Sequence, residues 1–315
     1  MPDPKPSKPG LHPRNPHRAG YDFPALVEAA PELRAFLTRT PDGRTSLDFA
    51  EPQAVKVLNR ALLLHHYGVR GWDLPEGALC PPVPGRADYV HHLADLLGEA
   101  LGGTLLSGPG VRILDLGTGA SGIYALLGHR AYGWSCVGTD VDPRAMDSVR
   151  RILAANPGLE AGFELRRQNR PDHVLEGVLK PGERFHASLC NPPFHASAAE
   201  AREGSARKWR NLKGVATSEP ARNFGGRGGE LWCPGGEAAF VGRMVEESVT
   251  FADRILWFTS LVSRSENLPG LKRKLRAARA AEVRIIPMAQ GQKRSRILAW
   301  TFVPTEARRG WFEGP

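Results

Sequence analysis

The sequence has little cysteine, only four methionines and no long apolar run. Its cysteines, Cys80, Cys136, Cys190 and Cys233, are far apart and form no Cys-x-x-Cys pair. That argues against a zinc site or a secreted disulfide framework and fits a reducing compartment. No apolar stretch approaches the ~20 residues a membrane span needs, and the opening MPDPKPSKPG lacks the apolar segment of a signal peptide. Acid is in deficit as well. Against 42 Lys and Arg stand 33 Asp and Glu, a formal charge of +9 over 315 residues. A polyanion is therefore the first partner to consider, and a membrane the last. What is present is 41% hydrophobic residue with 35 Gly and 27 Pro, enough to bury a core in a soluble, cytoplasmic protein.

Residues 1–20 are rich in proline and Lys/Arg with a single acid. They read as a flexible basic arm that gains too little from burial to order alone. Residues 21–105 carry helical spacing in Leu26, Leu33, Phe36 and Leu37, then in Val55, Leu58, Leu62 and Leu63, and again over Tyr89 to Leu101. CPPVPGR (80–86) between the last two is expected to be non-helical, because proline stiffens it. This region reads as a helical N-terminal accessory unit. Over 106–305 strands and helices alternate: VRILDLG, WSCVGTD, FELRRQ, FHASLC and RILWFTSLV are strands, with helices between most of them. EVRIIPM and RILAWTF then form an antiparallel edge hairpin. The pattern predicts an α/β domain with a mainly parallel sheet covered on both faces, and a short tail at 306–315.

DLGTGASG (115–122) follows the first strand of that region and opens a helix. Gly117, Gly119 and Gly122 spell G-x-G-x-x-G, and Asp140 ends the next strand, so a nucleotide at the strand ends is expected, with Asp140 on ribose hydroxyls. A dinucleotide is one reading and a tight structural turn another. Asp115 inside the turn would repel a pyrophosphate and suits a cationic ligand, which favours a sulfonium methyl donor.

Asn191-Pro192-Pro193-Phe194 follows the strand FHASLC. An exocyclic amine attacks a methyl group poorly because its lone pair is delocalised into the base. The Asn191 oxygen and the Pro192 carbonyl supply two acceptors that would draw such a nitrogen toward tetrahedral geometry. Pro193 fixes the backbone, and Phe194 offers a stacking face worth roughly 1–3 kcal/mol. The target base would have to leave its stack. No metal or general base is needed, since orientation can supply most of the acceleration. His195 beside the motif is expected to pack rather than relay protons.

These motifs, joined to LHPRN (11–15), CPPVPGRADYVHHLADLL (80–97), NFGG (223–226), ELWCPGGE (230–237), WFTSLVSRSENLPGL (257–271) and MAQGQKRSRILAWTF (288–302), give a chain that closely resembles the bacterial 23S rRNA adenine-N6 methyltransferases and a related eukaryotic methyltransferase-like family. The resemblance implies a Rossmann-like class I methyltransferase domain with a seven-stranded sheet. It implies S-adenosyl-L-methionine as cofactor, S-adenosyl-L-homocysteine as product, no metal, and 23S rRNA or a large-subunit assembly intermediate as partner, with no obligate protein partner. It carries Asp115, Gly117, Gly119 and Ser121 to the donor loop, Asp140 to the ribose, Arg86 to the donor's carboxylate and Gln168 to its adenine. Arg14, Arg207, Lys208, Arg210, Lys272, Arg273, Lys293 and Arg294 are the candidate phosphate contacts, which would position RNA while the pocket selects the base. Methylation of DNA adenine or a protein glutamine, and a non-catalytic RNA-binding assembly factor, are the competing readings.

Overall fold

A computed structural model describes residues 10–201, 228–290 and 293–312 of the chain. The N-terminal unit opens with α1 (Phe23–Ala29), capped by Asp22, whose carboxylate accepts the Ala25 N–H. A 3-10 turn over Pro31–Phe36 and a small hairpin, β1 (Leu37–Arg39) with β2 (Thr45–Leu47), follow. The spacing of Leu33, Phe36 and Leu37 therefore marks a turn and a strand rather than a long helix. Next come α2 (Pro52–Tyr67), which stops at left-handed Gly68, and α3 (Val83–Gly98). The start of α3 corrects the expectation for CPPVPGR. Pro82 is the cap and Pro84 sits in the first turn, where a missing N–H removes no helical bond.

Residues 10–20 are not a free arm. The backbone N–H of His12 donates to Asp88 at 2.5 Å, and the Asn15 amide donates to the Pro84 carbonyl at 2.8 Å and to Asp88 at 3.2 Å. His12, Asn15 and His17 are buried, so polar side chains fasten this stretch where an apolar count finds too little to bury. The described part of the expected tail, residues 306–312, also packs: 3-10 turns over Thr305–Ala307 and Arg309–Trp311 bring in Trp311, with the Arg184 guanidinium over its ring.

From Arg112 the chain alternates as expected: β3 (Arg112–Leu116), α4 (Ile123–Tyr132), β4 (Ser135–Asp140), α5 (Pro143–Ala154), β5 (Phe163–Arg167), β6 (Phe185–Cys190), α6 (Gly236–Ser248), β7 (Ile255–Val262), α7 (Leu268–Ala277), β8 (Glu282–Gln290) and β9 (Lys293–Thr301). The seven strands lie in the order β5-β4-β3-β6-β7-β9-β8. The first five are parallel, and β9 runs antiparallel between β7 and β8. This is the Rossmann-like sheet with its antiparallel hairpin. All eight residues of β7 are buried, as befits an inner strand of a sheet covered on both faces. One continuous core takes in Leu62 of α2, Val90 of α3, Leu126 of α4 and Ala187 of β6, so the N-terminal unit and this face of the sheet are a single packed body. The strand order reverses between β3 and β6. There the carboxyl ends of two neighbouring strands carry DLGTG and NPPF side by side, and a crevice opens.

Candidate active site

The crevice is a cavity of 420 Å³. Arg86, Gly117, Gly119, Ser121, Asp140, Gln168, Asn191 and Pro193, all singled out by the sequence, line it. Its wall begins where β3 ends. Gly117 and Gly119 have φ of +71° and +64°, a region that residues with a Cβ rarely adopt, and a Cβ on Gly117 would meet only open space. The turn thus presents bare backbone to whatever the cavity holds.

Asp115 lies beneath this turn and is not itself part of the lining. The Thr118 hydroxyl donates to its Oδ2 at 2.8 Å, while Oδ1 is buried without a hydrogen-bond partner among the described residues. Burial pushes this carboxyl up to about 7, against the Thr118 bond and with the Asp140 charge adding to the rise. Asp140 accepts the Gly119 N–H at 2.9 Å and the Asp142 N–H at 2.8 Å, and burial again raises its carboxyl. Glu230, from a single helical turn at Gly228–Leu231, adds a third carboxylate. It accepts the Leu79 N–H at 3.0 Å, and its other oxygen lies 3.3 Å from where a Gly119 Cβ would stand. This end of the cavity is acidic, which suits a cation and opposes a pyrophosphate.

Arg86 comes from the first turn of α3, and Asn59 of α2 holds the approach to it by donating to the Pro81 carbonyl at 2.9 Å. The Arg86 Nη1 donates to the Tyr124 hydroxyl at 2.6 Å and to the Asn191 Oδ1 at 2.8 Å. Its Nε is buried without a partner among the described residues, which leaves donor capacity for an anionic group in the cavity.

Pro192 is buried, and Phe194 is half-buried against the core and does not line the cavity. His195 uses its backbone as a clasp: its N–H donates to Leu231 and its carbonyl accepts from Cys233, pinning NPPF against Trp232. Gln168 bounds the cavity, but its amide is committed to the loop after β5, donating to the Glu176 carbonyl at 2.9 Å and accepting the Arg170 N–H at 2.9 Å. Arg14 is spent on Asp95 at 2.7 Å, on the Tyr132 hydroxyl and on the His91 carbonyl. Lys272, Arg273 and Arg294 are exposed, whereas Arg207, Lys208 and Arg210 lie outside the described residues. Lys293 opens β9, its backbone paired with Gln290. Among the described residues no group of three or more His, Cys, Asp or Glu is placed to hold a metal, and no helix is long and apolar enough to cross a membrane.

A family model described as RNA methyltransferase matches residues 5–304. The chain belongs to this RNA methyltransferase family. The methyltransferase is 54% identical over 303 residues to the ribosomal RNA large subunit methyltransferase F of Pseudomonas aeruginosa, covering 96% of this chain and 90% of that one. It is 52% identical over 308 residues to the Pseudomonas putida enzyme of the same name, covering 97% of each. Among solved structures it resembles the hMettl16 catalytic domain in complex with the MAT2A 3′UTR hairpin 6, with TM-score 0.77, 29% identity and coverage of 93% and 98%. It also resembles the N-terminal domain of human METTL16 in complex with SAH, with TM-score 0.73, 27% identity and coverage of 93% and 99%. The chain is thus an RNA methyltransferase that uses S-adenosylmethionine.

Sequence reading of this methyltransferase missed several lining residues: Leu79, Tyr124, His173, Glu230, Phe240 and Arg243. Glu230 opens the segment ELWCPGGE, but its place in the cavity depends on a chain crossing that no local spacing encodes. Phe240 and Arg243 lie on an ordinary amphipathic helix, where nothing marks them.

Proposed function

We propose that this protein methylates N6 of a specific adenine in 23S rRNA, with the base flipped into the mouth of the cavity at Asn191. The observation that supports this most is the adjacency of Asn191 and the acidic donor loop at the ends of neighbouring strands, with Arg86 linked to the Asn191 oxygen at 2.8 Å. The surroundings of the cavity fit S-adenosylmethionine: an acidic end backed, beneath the glycine turn, by a buried unpaired Asp115 oxygen, a carboxylate in Asp140 that could accept ribose hydroxyls, and an arginine with a spare Nε donor. When bound, the donor supplies a sulfonium-activated methyl group.

The chain's own contribution is to hold and orient. Asn191 Oδ1 has two lone pairs, so accepting from Arg86 leaves one for an amino hydrogen of the base. The Pro192 carbonyl is the second acceptor, and its ring removes a backbone donor that would compete. Neither group ionises, so the amine keeps its lone pair and is held rather than deprotonated; its nitrogen bonds the methyl carbon as the carbon–sulfur bond breaks, and the methylated nitrogen then loses a proton to solvent. Phe194 stands beside the cavity, where a rotamer change on RNA binding would bring its face to the base. The exposed Lys272, Arg273 and Arg294 would carry phosphates, together with Arg207, Lys208, Arg210 and Lys293. Arg14, tied to Asp95, is the weakest member of that set and would act through the fold of the N-terminal stretch.

The test is mass mapping of N6-methyladenine in rRNA from cells with and without this protein, with purified protein then offered unmethylated 23S rRNA, assembly intermediates and ribosomes. Loss of one N6-methyladenine in the large-subunit RNA and its restoration in vitro are expected. An unchanged rRNA map, or labelling of DNA or protein in preference to RNA, overturns the reading.

A further inference from the structure

The cavity is electrically lopsided. Asp115, Asp140 and Glu230 gather around the glycine turn, while besides Arg86 the lining carries a second arginine, Arg243. On α6, Phe240, Arg243 and Glu247 stand three and four residues apart and so share one face. Glu247 fixes where that face looks, because its carboxylate accepts the N–H groups of Val174 at 3.0 Å, Leu175 at 2.6 Å and Glu176 at 3.0 Å. Arg243, one turn back, and Phe240, two turns back, therefore face the loop after β5 and line the cavity with Gln168, His173 and Val174. Arg243 lies with its guanidinium carbon 6.0 Å from the Phe240 ring centre, and its Nε is buried without a hydrogen-bond partner among the described residues.

We propose that Arg243 is a specificity-determining residue of the cofactor site, donating from Nε to a ring nitrogen of the donor's purine while Phe240 bounds the base. This rests on the reading of the cavity as the donor site. An unpaired buried guanidinium N–H is costly, and the groups that relieve it are acceptors. A cationic sulfonium or ammonium is no partner for it, but purine ring nitrogens, flat and uncharged with in-plane lone pairs, are. Gln168, whose amide is engaged at both ends within its loop, leaves that role to another side chain. The arginine also disfavours a protonated base and a base that presents N–H at the contacted edge, so the slot selects an adenosyl group by its acceptor pattern.

Calorimetric titration with S-adenosylhomocysteine and its 1-deaza, 3-deaza and 7-deaza analogues, each replacing one ring nitrogen by C–H, tests this. Native protein should bind one of the three analogues roughly tenfold or more weakly, the loss expected for one hydrogen bond from a charged donor. In Arg243→Met the affinity for S-adenosylhomocysteine should fall to that level and the discrimination should vanish, with the other analogues in their native order. Arg243→Lys keeps charge and stem but lacks Nε, and should behave like Arg243→Met; it also serves if the methionine variant misfolds. Native affinity in both variants, or an equal loss for every ligand, overturns the proposal. Failure of the native protein to bind S-adenosylhomocysteine at all would instead overturn the underlying reading of the cavity.

Discussion

The Nη1 of Arg86 lies 2.8 Å from the side-chain oxygen of Asn191, and the Tyr124 hydroxyl holds the same nitrogen at 2.6 Å. A guanidinium only donates, so this contact decides which end of the Asn191 amide is oxygen-forward. It joins the N-terminal unit, through α3, to the motif that ends β6. The oxygen proposed to accept from the methyl-accepting amine is therefore oriented by a residue 105 positions away.

Arg86→Lys keeps the charge, but its ammonium ends one atom short of the Nη1 that serves both partners, and it lacks the Nε donor. Turnover should drop at least tenfold or so, a loss of one charge-assisted hydrogen bond. KM for RNA should move little. Steady-state kinetics with saturating donor would show this, and a variant with native turnover would mean that the amide is held without Arg86.

Asn191→Ala removes the acceptor itself. Turnover should fall by a factor of roughly one hundred or more, as when a donor or acceptor poised for the transition state is lost, while calorimetric affinity for S-adenosylhomocysteine stays within about twofold of native. Parallel loss of ligand binding would place Asn191 in the donor site instead.

Much of this was legible beforehand. Strand and helix periods gave all seven strands of the sheet, and the two motifs lay at strand ends where the topology brings them together. The misreadings share one cause. CPPVPGR and residues 10–20 look unstructured by proline content, but one is a helix start and the other is fastened by His12 and Asn15 to Asp88, a partner 73 to 76 residues distant. Glu230, Phe240 and Arg243 stayed hidden because their significance comes from facing another segment, which periodicity does not report. Arg14, basic and close to the terminus, reads as a phosphate contact in the sequence, whereas in the fold it pairs with Asp95.

The buried Asp115 makes stability depend on pH. Unfolded, its carboxyl titrates at the ordinary value of about 3.9; folded, burial holds it near 7. Between those values the folded chain keeps a proton that the unfolded chain has lost, so this group's contribution to stability falls as pH rises through that window and levels off above 7. Asp115→Asn removes the ionisation. Its melting temperature, relative to native, should therefore rise between pH 5 and pH 8, while its affinity for S-adenosylmethionine falls. Thermal scans at the two pH values check the sign; an unchanged difference would mean that Asp115 ionises at its ordinary value in the folded protein.

Asn15→Ala separates a structural latch from an RNA-binding arm. The Asn15 amide satisfies both the Pro84 carbonyl, in the first turn of α3, and the buried Asp88 carboxylate, which also takes the His12 N–H. Truncation leaves these acceptors short of a partner inside the core, at a cost of about 1–3 kcal/mol. Because Pro84 and Arg86 share the first turn of α3, loosening it should also reduce turnover through Asn191, and RNA affinity should change less than stability. Arg18→Ala, at an exposed position of the same stretch, should leave stability within about 0.5 kcal/mol of native. Urea unfolding of both variants, with RNA affinity measured at two salt concentrations, decides the matter: equal stability of Asn15→Ala and native, with a shallower salt dependence in the variant, would make this stretch a phosphate-binding arm after all.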